Sequence, residues 1–224
     1  LQDDQSPEDF PTSTCTSRAE GRKTVLLWGD SYAAHLFPGL SAHENDVLHF
    51  TLASAGSCAP LFNRNDPRCL EFHRYVVREI LPVLKPDIVI LAGNWMSVSS
   101  AAELETGLAE TMKQVGSSRV VVIGQGPMFA LPVASLIPDE RFEEPSIPKQ
   151  ITVDDKARYF NAETAALASK LGFRYFDLHD HLCEKQRCDV VRDGELMIWD
   201  RGGHLTIQGS KNVAPHILKI LSDD

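Results

Sequence analysis

A serine near the amino end of this chain and a histidine near its carboxyl end could together carry out nucleophilic catalysis. Ser31 closes a Gly-Asp-Ser run directly after an apolar stretch, and Asp200 precedes His204 by four residues. A serine hydroxyl, a histidine that takes its proton and an acid that orients the imidazole form a catalytic triad. Triads are defined by geometry, so a long separation along the chain is no objection. The three residues predict cleavage or transfer of acyl groups, provided that the two ends meet in space.

Each of these three residues also has a structural alternative. Ser31 could serve only as the N-terminal cap of a helix, a position that favours Ser and Asp. Asp200 could be a surface residue of a Gly-rich loop, and a single histidine such as His204 is more often structural than catalytic. The two glycines between Asp200 and His204 favour a turn that folds the carboxylate back on the imidazole.

Two further residues could stabilise the negative charge that develops when a serine attacks a carbonyl. Asn94 follows an apolar run, and its side-chain amide could donate a hydrogen bond to an oxyanion. Gly56 also follows an apolar run, and its lack of a side chain lets the backbone N–H approach a reacting carbonyl closely. The backbone N–H of Ser31 would be a third donor. The alternatives are a loop asparagine with an unusual backbone angle and an ordinary turn glycine.

Short apolar strands alternate with amphipathic helices along the rest of the chain. We expect strands over 24–28, 47–53, 87–92, 119–123 and 173–178. We expect helices over 31–44, 68–84, 101–115, 154–171 and 206–221, the first disturbed by a proline at position 38. This alternation predicts parallel βαβ units, and therefore a three-layer α/β/α sandwich with a central, mostly parallel five-stranded sheet.

Four candidate residues lie where such a fold binds its ligands, beyond the carboxyl ends of the strands. Ser31, Gly56, Asn94 and Gln125 each follow one of the first four predicted strands, so we expect them to converge at one edge of the sheet. The long Pro-rich segment 124–150 predicts a rim over that edge, with a plain surface loop as the alternative.

The composition indicates a single domain and excludes a nucleic-acid partner. The 224 residues, 43% of them hydrophobic, suffice for one sizeable core. The net charge of −9 argues against contact with a phosphate backbone, which requires a basic face. Residues 1–22 are polar and predict a linker or tail, with the domain itself over 23–224. The chain begins with Leu1 and shows neither a signal peptide nor a membrane-spanning run, so we expect a mature product or an excised domain.

Four of the five cysteines form two close pairs. Cys58 and Cys69 bracket one short polar loop, and Cys183 and Cys188 bracket another. Two local pairs of this kind predict two disulfides and an oxidising compartment. Cys15 is left over, and it is either free or paired with a segment outside this chain.

One group of residues could instead be interpreted as metal ligands, namely His179, Asp180, His181, Cys183, Cys188 and Asp189. Their spacing does not fit a standard zinc pattern, and the two cysteines suit a local disulfide. We therefore expect no metal at this position.

Four short blocks of the sequence, Gly29-Asp30-Ser31, Gly56, Gly93-Asn94 and Asp200-x-x-x-His204, resemble in order those of the SGNH/GDSL hydrolase superfamily. Longer stretches narrow the resemblance to the SGNH domains fused to membrane acyltransferases of family 3, and these stretches are 27–35, 56–60, 86–95 and 203–210. Proteins of that group O-acetylate bacterial surface glycans such as lipopolysaccharide O-antigen. The resemblance spans nearly all of the chain from Lys23 onward.

The resemblance implies a role for each residue of the blocks. Ser31 would be the nucleophile, His204 the base and Asp200 its partner. The oxyanion donors would be the Ser31 and Gly56 backbone N–H groups and the Asn94 side chain. The last block of the superfamily is usually Asp-x-x-His, one residue shorter than here, so Asp200 is the member of the triad to check first.

Contacts with the substrate are expected from four further residues, Tyr32, His35, Trp95 and Gln125. Tyr32 stands where relatives carry a histidine, and we expect a permissive position near the entrance. His35 lies one helical turn after Ser31, so it could line the pocket, and the alternative is a surface or packed histidine.

In function, the resemblance implies an O-acetyltransferase domain that needs no cofactor. Acetyl would reach Ser31 from an acyl donor as a covalent ester and leave to a sugar hydroxyl of a glycan acceptor. A membrane acyltransferase domain upstream in the same chain would tether the domain, a monomer when isolated, in the periplasm at the bacterial inner membrane. The alternatives are a free-standing periplasmic carbohydrate esterase or deacetylase and a non-catalytic glycan-binding module. Intact Ser, His and Asn residues disfavour the last of these.

Overall fold

The computed structural model describes residues 7–9, 17–136, 146–148, 155–184 and 187–222. Within them the strands are, in chain order, β1 Lys23–Gly29, β2 Leu48–Ser54, β3 Ile88–Ala92, β4 Arg119–Ile123, β5 Ser146–Pro148, β6 Arg174–Phe176, β7 Cys183–Glu184, β8 Arg187–Asp189, β9 Val191–Arg192 and β10 Glu195–Leu196. The central sheet has the order β2-β1-β3-β4-β6, and all of its strands run parallel. The strand order reverses between β1 and β3, and crevices of that kind bind ligands in open α/β sheets.

The helices are α1 Ser31–Ala34, α2 Phe37–Ser41, α3 Pro67–Tyr75, α4 Leu81–Leu84, α5 Ala101–Val115, α6 Val133–Leu136, α7 Asp155–Leu171, α8 Leu178–Leu182 and α9 Ile207–Ser222. A π-helical turn, Val76–Ile80, connects α3 to α4, and two 3-10 turns cover Pro7–Asp9 and Trp95–Ser97. Among the described residues, no helix combines the length and the apolar character that crossing a membrane requires.

Alternate residues of the strands bury their side chains on opposite faces of the sheet. Val25 and Leu27 of β1 belong to one apolar cluster, which α1, α2 and α9 complete. Leu26 and Trp28 belong to the other cluster, which α3, α5 and α7 complete. The expected three-layer α/β/α sandwich with a five-stranded sheet is therefore confirmed. Strands that are covered on both faces must be apolar at nearly every position, which is why apolar runs in the sequence could predict them.

The predicted helix over 31–44 is in fact two short helices. Pro38 lies in the first turn of α2, where its missing N–H would have no helical partner in any case. The break between α1 and α2 therefore falls just before this proline. The predicted strand over 173–178 is also shorter than expected, because β6 stops at Phe176 and Asp177 then caps α8.

Two small antiparallel sheets follow the central one, and they were not predicted from the sequence. The strands β5, β8 and β7 form one of them, and β9 and β10 form the other. Each of these strands has two or three residues, too few to show a periodic pattern. They lead the chain into the loop that carries Asp200 and His204.

Close packing between α2 and α9 brings the two ends of the chain together. The Ser210 hydroxyl accepts a hydrogen bond from the Gly39 N–H at 2.8 Å and donates one to the Leu36 carbonyl at 3.0 Å. A β-carbon on Gly39 would lie 2.1 Å from the Ser210 carbonyl oxygen, so only glycine permits this approach. Because α2 follows Ser31 closely and α9 follows His204 closely, this contact sets the distance between the triad candidates.

Part of the predicted tail contacts the domain. The Arg18 guanidinium donates to the Leu84 and Lys85 carbonyls at 3.1 and 3.0 Å. Arg22 forms an ion pair with Glu44 at 2.7 Å. The boundary between a tail over 1–22 and a domain over 23–224 stays a prediction. Cys15 and much of the segment 124–150 lie outside the described residues.

Candidate active site

The first four predicted strands end level with one another, which places the residues after them along one edge. Gly29 pairs with both Ser54 and Ala92, and Ala92 pairs with Ile123. The next residues therefore emerge side by side. A β-carbon on Gly29 would lie 1.7 Å from the Ala92 carbonyl oxygen, so a glycine is required where the chain turns toward Ser31.

Ser31 is the first residue of α1 and is half-buried. Its Oγ lies 2.8 Å from His204 Nε2, across 173 positions of sequence. That distance is within the hydrogen-bond reach required between a nucleophile and its general base. The structure thus brings the two ends of the chain together in the geometry that proton transfer needs.

Asp200 holds the same histidine at two points. Its Oδ2 lies 2.7 Å from His204 Nδ1, and its Oδ1 accepts the His204 backbone N–H at 3.0 Å. The extra residue in the Asp-x-x-x-His block is accommodated at Gly203, whose φ is +80°. A β-carbon on Gly203 would also lie 2.2 Å from the Pro127 carbonyl oxygen. The turn therefore depends on a glycine for its backbone angle and for the space around it.

Three potential donors lie after β1, β2 and β3. These are the Ser31 and Gly56 backbone N–H groups and the Asn94 side-chain amide. Asn94 Oδ1 accepts the Met96 N–H at 3.2 Å, which orients the amide and leaves Nδ2 as its donor end. Within the described part of the chain, none of these three donors has a hydrogen-bond partner. Unpaired donors at the carboxyl edge of the sheet are suited to binding an oxyanion.

The loop that carries Gly56 is fixed from two sides. The Ala55 N–H donates to the Gly29 carbonyl at 3.1 Å, which attaches the loop to the end of β1. Arg68 donates to the Gly56 carbonyl at 2.7 Å. The disulfide between Cys58 and Cys69 then joins the loop covalently to α3, and this predicted disulfide is confirmed.

Asp30 is a buried carboxylate with a structural role that the sequence reasoning did not assign. Its Oδ1 accepts the Tyr32 N–H at 2.8 Å, and its Oδ2 accepts the Asn94 N–H at 2.9 Å. It thereby connects the serine turn after β1 to the asparagine turn after β3. Burial raises the pKa of Asp30, while the Asn94 and Tyr32 N–H groups and nearby His204 oppose that rise. The one feature of the sequence that could have indicated this role is the position of Asp30 between Gly29 and Ser31.

Tyr32 does not lie at an entrance, which corrects the prediction for this residue. It is buried, its ring stacks on the His204 imidazole with centroids 4.6 Å apart, and its hydroxyl donates to the Gly202 carbonyl at 2.6 Å. Burial raises the pKa of Tyr32 to about 12, so the hydroxyl stays a donor at neutral pH. Tyr32 supports the histidine loop, and its predicted contact with substrate stays a prediction.

His35 belongs to the same supporting group. Its Nδ1 accepts the Leu205 N–H at 3.2 Å, and its ring meets that of His204 edge-on at 5.8 Å. Its Nε2 is buried, and burial with the neighbouring His204 lowers the pKa of His35 to about 3. His35 is therefore a neutral, packed side chain, which agrees with the packed alternative, and its predicted contact with substrate stays a prediction.

The predicted substrate contacts at Trp95 and Gln125 stay predictions, although the structure places neither side chain at the surface of the site. Trp95 is fully buried in the apolar core, where its indole N–H donates to the Ile123 carbonyl at 2.7 Å. Gln125 is fully buried too, and Asn161 holds its backbone through two hydrogen bonds of 2.7 and 2.9 Å. Both residues lie at the correct edge of the sheet but point inward, which their position after a strand could not reveal.

The residues weighed as metal ligands have other partners. Cys183 and Cys188 form a disulfide, as predicted, so neither offers a thiolate. Ligand atoms of Asp177, His179 and Asp180 lie within 4.8 Å of one another. The Asp177 carboxylate, however, accepts the Asp180 N–H at 2.9 Å as the cap of α8 and also accepts from Asn161. This cluster is explained by helix capping.

Comparisons with known proteins agree with this geometry. The sequence model of a family described as "SGNH domain (fused to AT3 domains)" matches residues 2–219. None of the curated proteins matches the chain.

Solved structures share the fold. The periplasmic domain of a lipopolysaccharide acetyltransferase from Salmonella ser. Paratyphi A is 21% identical with a TM-score of 0.79, over 95% of this chain and 87% of that one. A carbohydrate acetylesterase from Sinorhizobium meliloti is 16% identical with a TM-score of 0.61, over 89% of this chain and 98% of that one. An aryl esterase from M. smegmatis is 16% identical with a TM-score of 0.58 over the same shares.

The family match spans nearly the whole chain, including every residue placed at the site above. The structural neighbours show the same α/β fold. The chain therefore belongs to the family of SGNH domains that are fused to AT3 domains, an SGNH-type group of serine acyltransferases and esterases.

Proposed function

We propose that this chain is an O-acetyltransferase domain that moves an acetyl group through Ser31 onto a sugar hydroxyl of a bacterial surface polysaccharide, such as lipopolysaccharide O-antigen. The observation that carries the proposal is the chain of hydrogen bonds from Ser31 through His204 to Asp200, at 2.8 and 2.7 Å. Family membership and the likeness to a lipopolysaccharide acetyltransferase domain support the choice of acceptor.

In the first half-reaction, Ser31 Oγ attacks the carbonyl carbon of an acetyl ester or thioester. His204 Nε2 takes the hydroxyl proton as the new C–O bond forms, and Asp200 stabilises the imidazolium. The oxyanion is stabilised by the N–H groups of Ser31 and Gly56 and by Asn94 Nδ2. The bond to the donor's oxygen or sulfur then breaks, and the leaving group receives the proton from His204. An acetyl ester remains on Ser31.

In the second half-reaction, a sugar hydroxyl replaces the leaving group at the same position. His204 Nε2 takes the proton of that hydroxyl while its oxygen attacks the acetyl carbon. The bond from Ser31 Oγ to the acetyl carbon breaks, and the proton passes from His204 to Oγ. The free serine is restored, and the sugar carries the acetyl ester.

The donor would come from a membrane acyltransferase domain in the same protein. Support comes from the family, whose SGNH domains are fused to AT3 domains. The two disulfides fit an oxidising compartment, and the structural neighbour from Salmonella is a periplasmic domain. We therefore place this domain in the periplasm, tethered to the inner membrane.

A carbohydrate esterase is the second candidate. Its support is the likeness to the carbohydrate acetylesterase and the partial exposure of His204, which leaves the acetyl ester open to water. Water would then replace the sugar hydroxyl in the second half-reaction, with the same residues in the same roles. A glycan-binding module without catalysis would have no need for the hydrogen-bonded triad.

The first test compares the wild-type domain with Ser31→Ala on p-nitrophenyl acetate. We expect the substitution to lower kcat at least a thousandfold, because the nucleophile is lost while the fold keeps its other contacts. Release of p-nitrophenol is followed by absorbance, and a urea unfolding curve controls for folding. Equal release by both proteins, or none by the wild type, would contradict an acyl-enzyme mechanism. Acetyl found on an added saccharide by mass spectrometry distinguishes transfer from hydrolysis.

A further inference from the structure

One exposed aromatic side chain lies beside the proposed general base. The Trp199 ring is 6.1 Å from the His204 ring, between centroids, and the side chain is 55% exposed. The other two tryptophans of the chain, Trp28 and Trp95, are 0% exposed. Tryptophan is usually well buried on average, so an exposed indole next to a catalytic group calls for a functional explanation.

Backbone contacts attach the main chain of Trp199 to the segment that carries His204. The Trp199 N–H donates to the His204 carbonyl at 3.1 Å, and the adjacent Ile198 forms an antiparallel bridge with Leu205. Asp200, the next residue, is itself bonded to His204. The main chain of Trp199 is therefore fixed beside the base, and its ring lies 6.1 Å from that of His204.

Two further exposed apolar side chains lie on segments connected to the His204 loop. Ile207, 65% exposed, begins α9 three residues after His204. Leu131 is 53% exposed and follows Phe129, whose N–H donates to the Arg201 carbonyl at 2.9 Å. The aromatic neighbours of His204 other than Trp199, which are Tyr32 and His35, are packed inside the domain. Trp199 is thus the one that an incoming acceptor can touch.

We propose that Trp199 is the platform on which the pyranose ring of the acceptor stacks, and that it determines specificity for a sugar ring. The inference rests on the transferase function proposed above. The acceptor must bring one hydroxyl within reach of His204 Nε2, so its ring must lie close to that imidazole. A pyranose has an apolar C–H face, and an indole offers a large rigid apolar surface to it. Trp199 contributes to binding and takes no part in moving the proton.

The proposal can be tested by fluorescence, because Trp199 is the exposed tryptophan among three. The probes are methyl α-D-mannopyranoside and methyl β-D-galactopyranoside, and sorbitol supplies hydroxyls without a ring. We expect at least one glycoside to protect the red-edge emission from acrylamide quenching, while sorbitol does not. Trp199→Phe should remove this signal, since the remaining tryptophans are buried.

The kinetic test uses p-nitrophenyl acetate as donor and the same glycosides as acceptors. We expect Trp199→Ala to raise the KM for the acceptor roughly tenfold, and Trp199→Phe to raise it less, because a phenyl ring keeps part of the stacking surface. Val83→Ala is the matched control. Val83 is exposed and apolar, but it lies in α4, before β3 and thus at the other end of the sheet.

Each outcome decides the proposal. Protection by a glycoside, with a larger effect of Trp199→Ala on acceptor KM than on turnover without acceptor, supports it. Equal losses with and without acceptor would mean that the ring only positions His204, and would overturn it. If the wild type transfers nothing to any glycoside, the transferase function fails, and the quenching result still decides whether Trp199 binds a sugar ring.

Discussion

At the scale of single residues, several neighbours of His204 hold the imidazole of this proposed base in one orientation. Asp200 fixes one ring nitrogen and the backbone, while Tyr32 covers the ring and holds the carbonyl of Gly202. These contacts restrict the imidazole to the orientation in which Nε2 faces Ser31. Pre-positioning of this kind matters because an error of about 1 Å can cost a hundredfold in rate.

Tyr32→Phe tests this support at the level of one hydrogen bond. The substitution removes the hydroxyl that donates to Gly202 and keeps the ring that stacks on His204. A neutral hydrogen bond contributes about 1 kcal/mol, so we expect kcat for p-nitrophenyl acetate to fall about fivefold with little change in KM. Tyr32→Ala should lower kcat further, because the stacking of the ring on His204 is lost as well. An unchanged kcat in Tyr32→Phe would show that the hydroxyl does not position the histidine.

At the scale of elements, the site exists because two helices far apart in sequence pack closely. The α2–α9 contact requires Gly39 and is bridged by the Ser210 hydroxyl. On the other side of the serine turn, the Cys58–Cys69 disulfide holds the Gly56 loop. Ser31, His204 and the proposed oxyanion donors Gly56 and Asn94 therefore lie on separate segments that meet at the same edge of the sheet.

Gly39→Ala tests the helix contact. The added methyl would lie 2.1 Å from the Ser210 carbonyl oxygen, so α2 and α9 must move apart. Overpacking of this kind costs roughly 1–3 kcal/mol, and we expect that loss in the free energy of unfolding together with a lower kcat. Ser41→Ala, in the same helix, is the control and should unfold like the wild type. Equal unfolding curves for all three proteins would argue against the importance of this contact.

At the scale of the whole molecule, buried histidines link the stability of the fold to pH. His73 is fully buried: its Nδ1 accepts the Trp28 indole N–H at 3.2 Å and its Nε2 donates to the Ala59 carbonyl at 2.9 Å. Burial lowers the pKa of His73 to about 4, with nearby Arg64 adding to the effect and the Ala59 bond opposing it. The pKa of His35 is lowered to about 3.

These shifts predict that acid destabilises the protein well above the pKa of its carboxyl groups. As pH falls below about 6.5, the unfolded chain binds protons at these histidines while the native protein does not. The contribution of the two neutral histidines to the free energy of unfolding is therefore fully present above about pH 6.5, and it is lost progressively as pH falls toward 4. At pH 5 each histidine should lower the free energy of unfolding by about 2 kcal/mol relative to its value at neutral pH.

Urea unfolding at pH 7 and pH 5 measures this loss. His73→Gln keeps an acceptor and a donor at the site but does not titrate. We expect its free energy of unfolding to fall by about 2 kcal/mol less than that of the wild type over this pH range. The raised pKa of Asp30 acts in the opposite direction, and it cancels in the comparison of the two proteins. An equal loss of unfolding free energy in both proteins would show that His73 is not responsible for the destabilisation by acid.

Much of the fold and the chemistry of the site could be predicted from the sequence alone. Apolar runs of strand length and amphipathic helices are local patterns, and they were sufficient for the five-stranded parallel sheet and for the placing of Ser31, Gly56 and Asn94 after their strands. The two disulfides were equally accessible, because each joins cysteines close in sequence. The strands of the two small antiparallel sheets could not be predicted, because segments of two or three residues are too short to show a period.

Only the tertiary structure decided which side chains at the edge of the sheet face inward. Tyr32, Trp95 and Gln125 follow strands as Ser31 does, but they are buried, while Trp199 is exposed. Burial depends on elements distant in sequence, and the α2–α9 contact that brings His204 to Ser31 joins positions 171 apart. The sequence by itself determined which groups could react. The packing of distant helices determined which of them meet, since side-chain contacts across the fold leave no periodic signal in the chain.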